Sequence, residues 1–256
     1  MIRTVDLSIG YQLGKTVRAV QQNLNLVANA GELIALIGPN GCGKSTLLRT
    51  LAGLQKPLSG SILLDQFDLN ALKLTERAKK ISLVLTDAVQ MGYITVYQIV
   101  ALGRHPYTTL SGKLSKNDAK FIRDALAAVH LEAFEDRLVS ELSDGERQRV
   151  MIAKALAQDT PIILLDEPTS FLDLPNRVEI VLLLKKLARE MQKCILISTH
   201  EIDLAIRLAD TIWLMNERED LVTGNPAQLT ANGSIQSVFH GDSFGFDPET
   251  GRVIIF

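Results

Sequence analysis

Gly38-Pro-Asn-Gly-Cys-Gly-Lys-Ser-Thr46 is the stretch whose residue types and spacing most directly imply chemistry. Gly38, Gly43, Lys44 and Ser45 take the four fixed places of the pattern GxxxxGK[ST]. Glycines let a backbone curl until successive N–H groups point inward at phosphate oxygens. A helix starting just after such a loop adds positive potential, and Lys44 supplies a full charge near the β- and γ-phosphates. Ser45 stands where a hydroxyl is offered to Mg²⁺. At average residue usage the four positions coincide by chance in roughly one percent of chains this long. Cys42 falls at a variable position and reads as a space-filling residue, not a nucleophile.

A second constellation is Ile162-Ile-Leu-Leu-Asp166-Glu167, two carboxylates at the end of an apolar run. In open α/β sheets ligands bind beyond the carboxyl ends of the strands, where the phosphate loop also emerges. Asp166 can hold Mg²⁺ there through water, and Glu167 can take a proton from an attacking water. Alone, such a pair is an ordinary solvated strand end; the phosphate loop in the same chain makes it chemical. His200 closes another apolar run, Cys194 to Thr199, and would reach the same sheet edge, within range of a γ-phosphate.

These residues need strands and helices to position them. Leu33 to Ile37 (LIALI) is short and continuously apolar, as a strand buried on both faces reads. Leu47 to Leu51 is compatible with the helix that must follow the loop. Leu24 and Leu26 alternate with Asn23 and Asn25, predicting a half-buried strand, and Ser61 to Leu64 predicts another after the turn Pro57-Leu58-Ser59-Gly60. From Asp87 to Ala157 strand runs become scarce, and Phe121, Ala125, Leu126 and Val129 recur at helical spacing. Strand signals return at Pro161–Leu165 and Cys194–Thr199. Phe244-Gly-Phe and Val253 to Phe256 flank a turn-forming loop and predict a small terminal hairpin. Strand alternating with helix predicts an α/β protein with a helical insertion.

Length and composition agree with one such domain: 256 residues, 46% hydrophobic and 22% charged, which excludes intrinsic disorder. Twenty-seven basic against 29 acidic residues give a net charge of −2, which argues against nucleic-acid binding driven by bulk charge. The sequence has no apolar run of ~20 residues and its start does not read as a signal peptide. Cys42 and Cys194 fit neither a disulfide framework nor a zinc spacing, so the reducing cytoplasm is the expected compartment.

Taken together, the motifs resemble the nucleotide-binding subunits of ATP-binding-cassette (ABC) transporters over nearly the whole chain. Gly38–Thr46 resembles the Walker A loop and Ile162–Glu167 the Walker B strand. Leu142-Ser-Asp-Gly-Glu-Arg-Gln148 looks like the signature LSGGQ-x-Q, Ser170-Phe-Leu-Asp173 the D-loop, and His200 the switch histidine. The resemblance implies a P-loop NTPase (RecA-like) α/β core with an N-terminal antiparallel β subdomain and an inserted α-helical subdomain. It implies one ABC ATPase domain over 1–256, with a core of 1–86 and 158–256 and a helical subdomain of 87–157. ATP would be held by Tyr11, stacking on adenine, and by Gly38, Pro39, Asn40, Gly41, Cys42, Gly43, Lys44, Ser45 and Thr46. Ser45 and Asp166 would hold Mg²⁺, while Lys44, Glu167 and His200 carry hydrolysis. Ser143-x-x-Glu146 is also a capping box, so a helix should start there and aim its N-terminus at an anion. In the family that anion is the γ-phosphate on the opposite subunit. A homodimer with two ATP molecules sandwiched between Walker loops and Ser143, Asp144, Gly145 and Glu146 is therefore implied.

Two residues depart from the family pattern. Asp144 stands where glycine is usual, and the expectation is that its side chain points away and leaves backbone N–H groups to the phosphate. Thr86 stands where the Q-loop glutamine is usual, with Asp87 nearby and Gln90 too far along to be its equivalent. Ile94 to Tyr107 (ITVYQIVALGRHPY) resembles the corresponding segment of importers for ferric siderophores, haem or cobalamin. That resemblance implies polytopic permease subunits as partners, an external solute-binding protein acting indirectly, no nucleic acid, and a peripheral place on the cytoplasmic face of the inner membrane. The alternative is a soluble ABC ATPase such as one of iron–sulfur assembly.

Overall fold

In the computed structural model the described residues are 1–14, 16–85, 92–108, 112–216, 221–239, 244–247 and 252–255. The chain opens with β1 (Ile2–Leu13), β2 (Thr16–Leu24), β3 (Val27–Ala28) and β4 (Leu33–Ile37), then α1 (Lys44–Leu51). It continues through β5 (Ser59–Leu64), β6 (Phe67–Asp68), α2 (Leu74–Ala78) and β7 (Ile81–Val84). Helices α3 (Val96–Ala101), α4 (Lys116–Ala128) and α5 (Asp144–Ala157) lead to β8 (Ile162–Asp166), α6 (Leu174–Glu190), β9 (Cys194–Ser198) and α7 (Ile202–Leu208). Then come β10 (Thr211–Met215), β11 (Leu221–Gly224), α8 (Pro226–Ala231), α9 (Ser234–Val238), β12 (Phe244–Asp247) and β13 (Arg252–Ile255).

Strands β2-β1-β5-β6, with β3 also on β1, form an antiparallel sheet. The central sheet runs β11-β10-β4-β9-β8-β7 and is parallel except for β11. β4, β8 and β9 are buried at every position, which is why they read as unbroken apolar runs. Their side chains alternate between two cores. Leu33, Ala35 and Ile37 face the core shared with α3 to α6, while Ile34 and Leu36 face α1 and the antiparallel sheet. Because β4, β9 and β8 are parallel neighbours, the segments leaving their carboxyl ends meet on one edge of the sheet. The predicted tail hairpin is present as antiparallel β12 and β13, its connecting turn lying outside the described residues.

The strand expected across Leu24 and Leu26 is instead a junction. β2 stops at Leu24, Asn23 takes φ 54°, and β3 begins only at Val27. Both leucines are buried, so the alternation was reporting burial and not a continuous ladder. Side chains replace the missing ladder bonds. Thr4 Oγ1 donates to Leu24 O at 2.8 Å and accepts from Leu26 N–H at 2.8 Å, while Asn25 and Asp6 bond to each other.

Between β7 and β8, helices α3, α4 and α5 each start with a capping box, formed by Thr95 with Gln98, Ser115 with Asp118, and Ser143 with Glu146. α3 and α4 pack on α5. The Gly103-Arg104 dipeptide of the importer-like segment acts as their joint. A Cβ on Gly103 would sit 2.3 Å from Lys154 O of α5, so only glycine allows this approach. Arg104 is buried, pairs with Asp118 at 2.9 Å, donates to Ala157 O at 2.8 Å and stacks on Tyr107 and Phe121.

Candidate functional site

The phosphate loop leaves the end of β4 and runs into α1, whose N-cap is Gly43 at φ 108° with no capping side chain. Beyond its backbone freedom, Gly43 is required by space, since a Cβ there would lie 2.2 Å from Val20 Cγ1. Gly38 is equally confined, its Cβ position lying 2.5 Å from Met215 O. Lys44 is buried, and its Nζ donates to Gly38 O at 2.9 Å and Pro39 O at 3.0 Å. Burial pulls the Lys44 ammonium below the ordinary lysine range, and electrostatic interaction with Cys42, Glu167 and Asp166 opposes this. Both carboxylates at the end of β8 therefore act electrostatically on the loop lysine. Tyr11 is 44% exposed, and its hydroxyl shares a 2.7 Å hydrogen bond with Thr46 Oγ1, tying the aromatic residue to the end of the loop.

Asp166 is buried at the last position of β8, paired in register with Ser198 of β9. Ser198 Oγ donates to Asp166 Oδ1 at 2.6 Å and accepts the Glu167 N–H at 2.9 Å. One hydroxyl thus orients both carboxylate residues. Glu167 turns out of the strand at φ 49°, a conformation that costs a non-glycine residue of order 1 kcal/mol and is sustained by its surroundings. Its Oε1 bonds His200 Nε2 and its Oε2 accepts from Ser170 Oγ at 3.0 Å. These groups line a cleft of about 330 Å³ together with Arg177 and Glu201.

Such an arrangement fits a nucleoside triphosphate: a glycine loop, an uncapped helix start and a lysine charge held on backbone carbonyls that phosphate oxygens can replace. It also fits Mg²⁺. Among the described residues no group of three or more His, Cys, Asp and Glu could hold a metal. The donors on offer are the Ser45 hydroxyl and the Asp166 carboxylate, the small protein share that suits an ion completed by phosphate and water.

Ser143 to Glu146 form the start of α5, laid against α6. A Cβ on Gly145 would lie 2.9 Å from Asn176 Oδ1. Glu146 Oε2 accepts from Ser143 N–H and Ser143 Oγ, both at 2.8 Å, and these bonds hold its carboxyl below the usual range. Asp144 pairs with Arg147 at 2.8 Å, so its charge is drawn along the helix surface toward a cation. Thr86, Asp87 and Gln90 lie outside the described residues. Sequence reasoning missed Ser198, a hydroxyl in an otherwise apolar strand. It also left Ser170 as a motif position without a role, and gave none to Arg177 or Glu201.

A parallel sheet carrying a phosphate loop and an acidic strand end, faced by an antiparallel sheet and a helical part, defines a P-loop NTPase of the cassette type. Residues 21–170 match the ABC transporter family, and the chain belongs to it. It is similar to a petrobactin import ATP-binding protein of Bacillus anthracis, 38% identical over 93% of this chain and 86% of that protein. The ferric enterobactin transport ATP-binding protein of Escherichia coli is 36% identical, again over 93% of this chain and 86% of that protein. Among solved structures, a metal-chelate type ABC transporter in an inward-facing conformation superposes with a TM-score of 0.80 at 29% identity, covering 93% of this chain and 88% of that one. A dimeric ATP-binding cassette bound to ADP and Pi superposes with a TM-score of 0.73 at 30% identity, over 88% of this chain and 99% of that one. As a member of this family the chain binds and hydrolyses ATP. Among the described residues no helix is long and apolar enough to cross a membrane.

Proposed function

We propose that this chain powers a membrane importer for a metal chelate of the ferric siderophore, haem or cobalamin type, working as a homodimer. The observation that carries the hydrolytic part is Glu167, gripped on one oxygen by His200 and on the other by Ser170. The relatives named for petrobactin and ferric enterobactin, and the Ile94–Tyr107 segment, support the chelate class.

In the proposed reaction Tyr11 receives adenine, and the loop amides of Gly38 to Thr46 with Lys44 hold the phosphates. Ser45 and Asp166 would hold Mg²⁺, which when bound neutralises charge on the phosphate oxygens. Glu167 takes the proton of the attacking water, and His200 keeps its carboxylate aimed while reaching the γ-phosphate. Ser143, Asp144, Gly145 and Glu146 of the second copy close the site, offering the amides of a capped helix start. Residues 1–86 and 158–256 form the nucleotide-holding part, and 87–157 the part that meets the permease. The chain then lies on the cytoplasmic side of the inner membrane, and an external solute-binding protein delivers the chelate.

The test has separate readings for dimer and cargo. With Glu167→Gln at saturating ATP and Mg²⁺, sedimentation should show a dimer; a persistent monomer overturns the sandwich. Proteoliposomes holding this chain and its permease, supplied with the solute-binding protein on the outer side, should take up a labelled ferric siderophore, haem or cobalamin only with ATP. ATP-independent or absent uptake of all three overturns the cargo class.

A further inference from the structure

Arg177, in the first turn of α6, joins the two segments that grip Glu167. Its Nε donates to Leu172 O at 2.6 Å, and its Nη1 bonds the Glu201 carboxylate. Leu172 lies two residues beyond Ser170, the residue on Glu167 Oε2, and Glu201 directly follows His200, the residue on Oε1. One planar guanidinium therefore spans both arms of the clamp. Its own anchor is firm. Asp173 caps α6 by accepting from Asn176 N–H at 3.1 Å, which sets the turn that carries Arg177. On the other arm, Thr199 Oγ1 accepts from Glu201 N–H at 3.0 Å, fixing the residue that Arg177 holds.

We propose that Arg177 is a positioning residue for hydrolysis: it locks the Ser170 and His200 segments together, so that the Glu167 carboxylate is held at both oxygens. This rests on the reading of Glu167 as the proton acceptor. The arginine fork donates in two fixed directions at once, to a carbonyl and to a carboxylate, which the single ammonium of lysine cannot reproduce. And the contacts are to the segments, not to the phosphates, so the expected loss falls on the chemical step and not on nucleotide binding.

The experiment compares Arg177→Met, Arg177→Lys, Glu201→Gln and Glu167→Gln in steady-state ATPase assays, with ATP affinity and thermal midpoint measured on each. Arg177→Met should lower kcat about 10- to 100-fold, the cost of misplacing a catalytic group by about an ångström, with KM and ATP affinity within about twofold of wild type. Arg177→Lys should recover part of that loss. Glu201→Gln should lower kcat less than Arg177→Met, and adding it to Arg177→Met should cost little more, because both act on one contact. A wild-type kcat in Arg177→Met, an equal loss of kcat and ATP affinity, or full rescue by lysine would overturn the proposal. If Glu167→Gln itself keeps normal turnover, the reading of the base has failed instead, and the two failures are distinguishable. A lowered thermal midpoint with unchanged kcat marks a purely structural residue and also overturns it.

Discussion

Replacing Arg104 by methionine tests how the helical part is assembled. The native pair is deeply buried, with 4% and 8% of the Arg104 and Asp118 side chains exposed. Methionine keeps some of the packing on Tyr107 and Phe121 but abandons Asp118 Oδ1 and Ala157 O. Removing one partner of a buried pair costs about 3–5 kcal/mol, because the other charge is left uncompensated. Here Asp118 Oδ2 still accepts from Ser115 N–H and Ser115 Oγ, so the low end, about 3 kcal/mol, is expected. For a chain of this size that is a fall in thermal midpoint of about 6–12 °C. The pair has a pH signature as well. Hydrogen bonds from Ser115, then those and the charge of Arg104, hold the folded Asp118 carboxyl below its ordinary value. Its stabilisation is therefore present above the unfolded carboxylate value of about 3.9 and is lost as pH falls through the lower folded value. Calorimetry of wild type, Arg104→Met, Asp118→Asn and the double variant gives the coupling. A fall under about 2 °C in Arg104→Met, or single losses that simply add, would refute the reasoning.

Other outcomes follow from the same geometry. Glu167→Gln should cut turnover about 10²–10⁴-fold while ATP still binds, and near-normal turnover in a phosphate-release assay would remove Glu167 as the base. Ser198→Ala deletes the hydroxyl that serves both Asp166 Oδ1 and the Glu167 N–H; with a buried carboxylate contact and a partly buried N–H lost, a fall of about 1–3 kcal/mol in stability and a clear fall in kcat are expected. Asp144→Gly should leave ATPase activity close to wild type, since the Asp144 charge is already engaged by Arg147; a large rise in rate would show that it opposes phosphate. Cys194, whose thiol burial pushes up to about 12, should resist alkylation in the folded protein at pH 8, as mass spectrometry after iodoacetamide would show.

What could be read from the residues alone was whatever short-range chemistry dictates. A glycine loop with lysine, placed between an apolar run and a helix former, has one plausible use, and the loop from β4 to α1 is where the spacing required it. The capping box at Ser143 was legible because both partners lie within one turn, and it forms as expected. Continuous apolar runs announced β4, β8 and β9 because a strand buried on both faces has no polar side to show. The Leu24–Leu26 alternation misled because burial has the same periodicity whether backbone partners come from a ladder or from Thr4 and Asn25.

The sequence by itself determined the phosphate loop, the acidic strand end, the helix cap at Ser143 and the family, since each is a pattern of neighbours along the chain. Only the tertiary structure decided which groups hold those residues in place. Ser198 meets Asp166 across 32 positions, Arg177 meets Glu201 across 24, and Arg104 meets Ala157 across 53. No local spacing encodes such meetings; they exist because parallel strands and packed helices bring distant segments to one edge, where polar groups shut away from water must find partners.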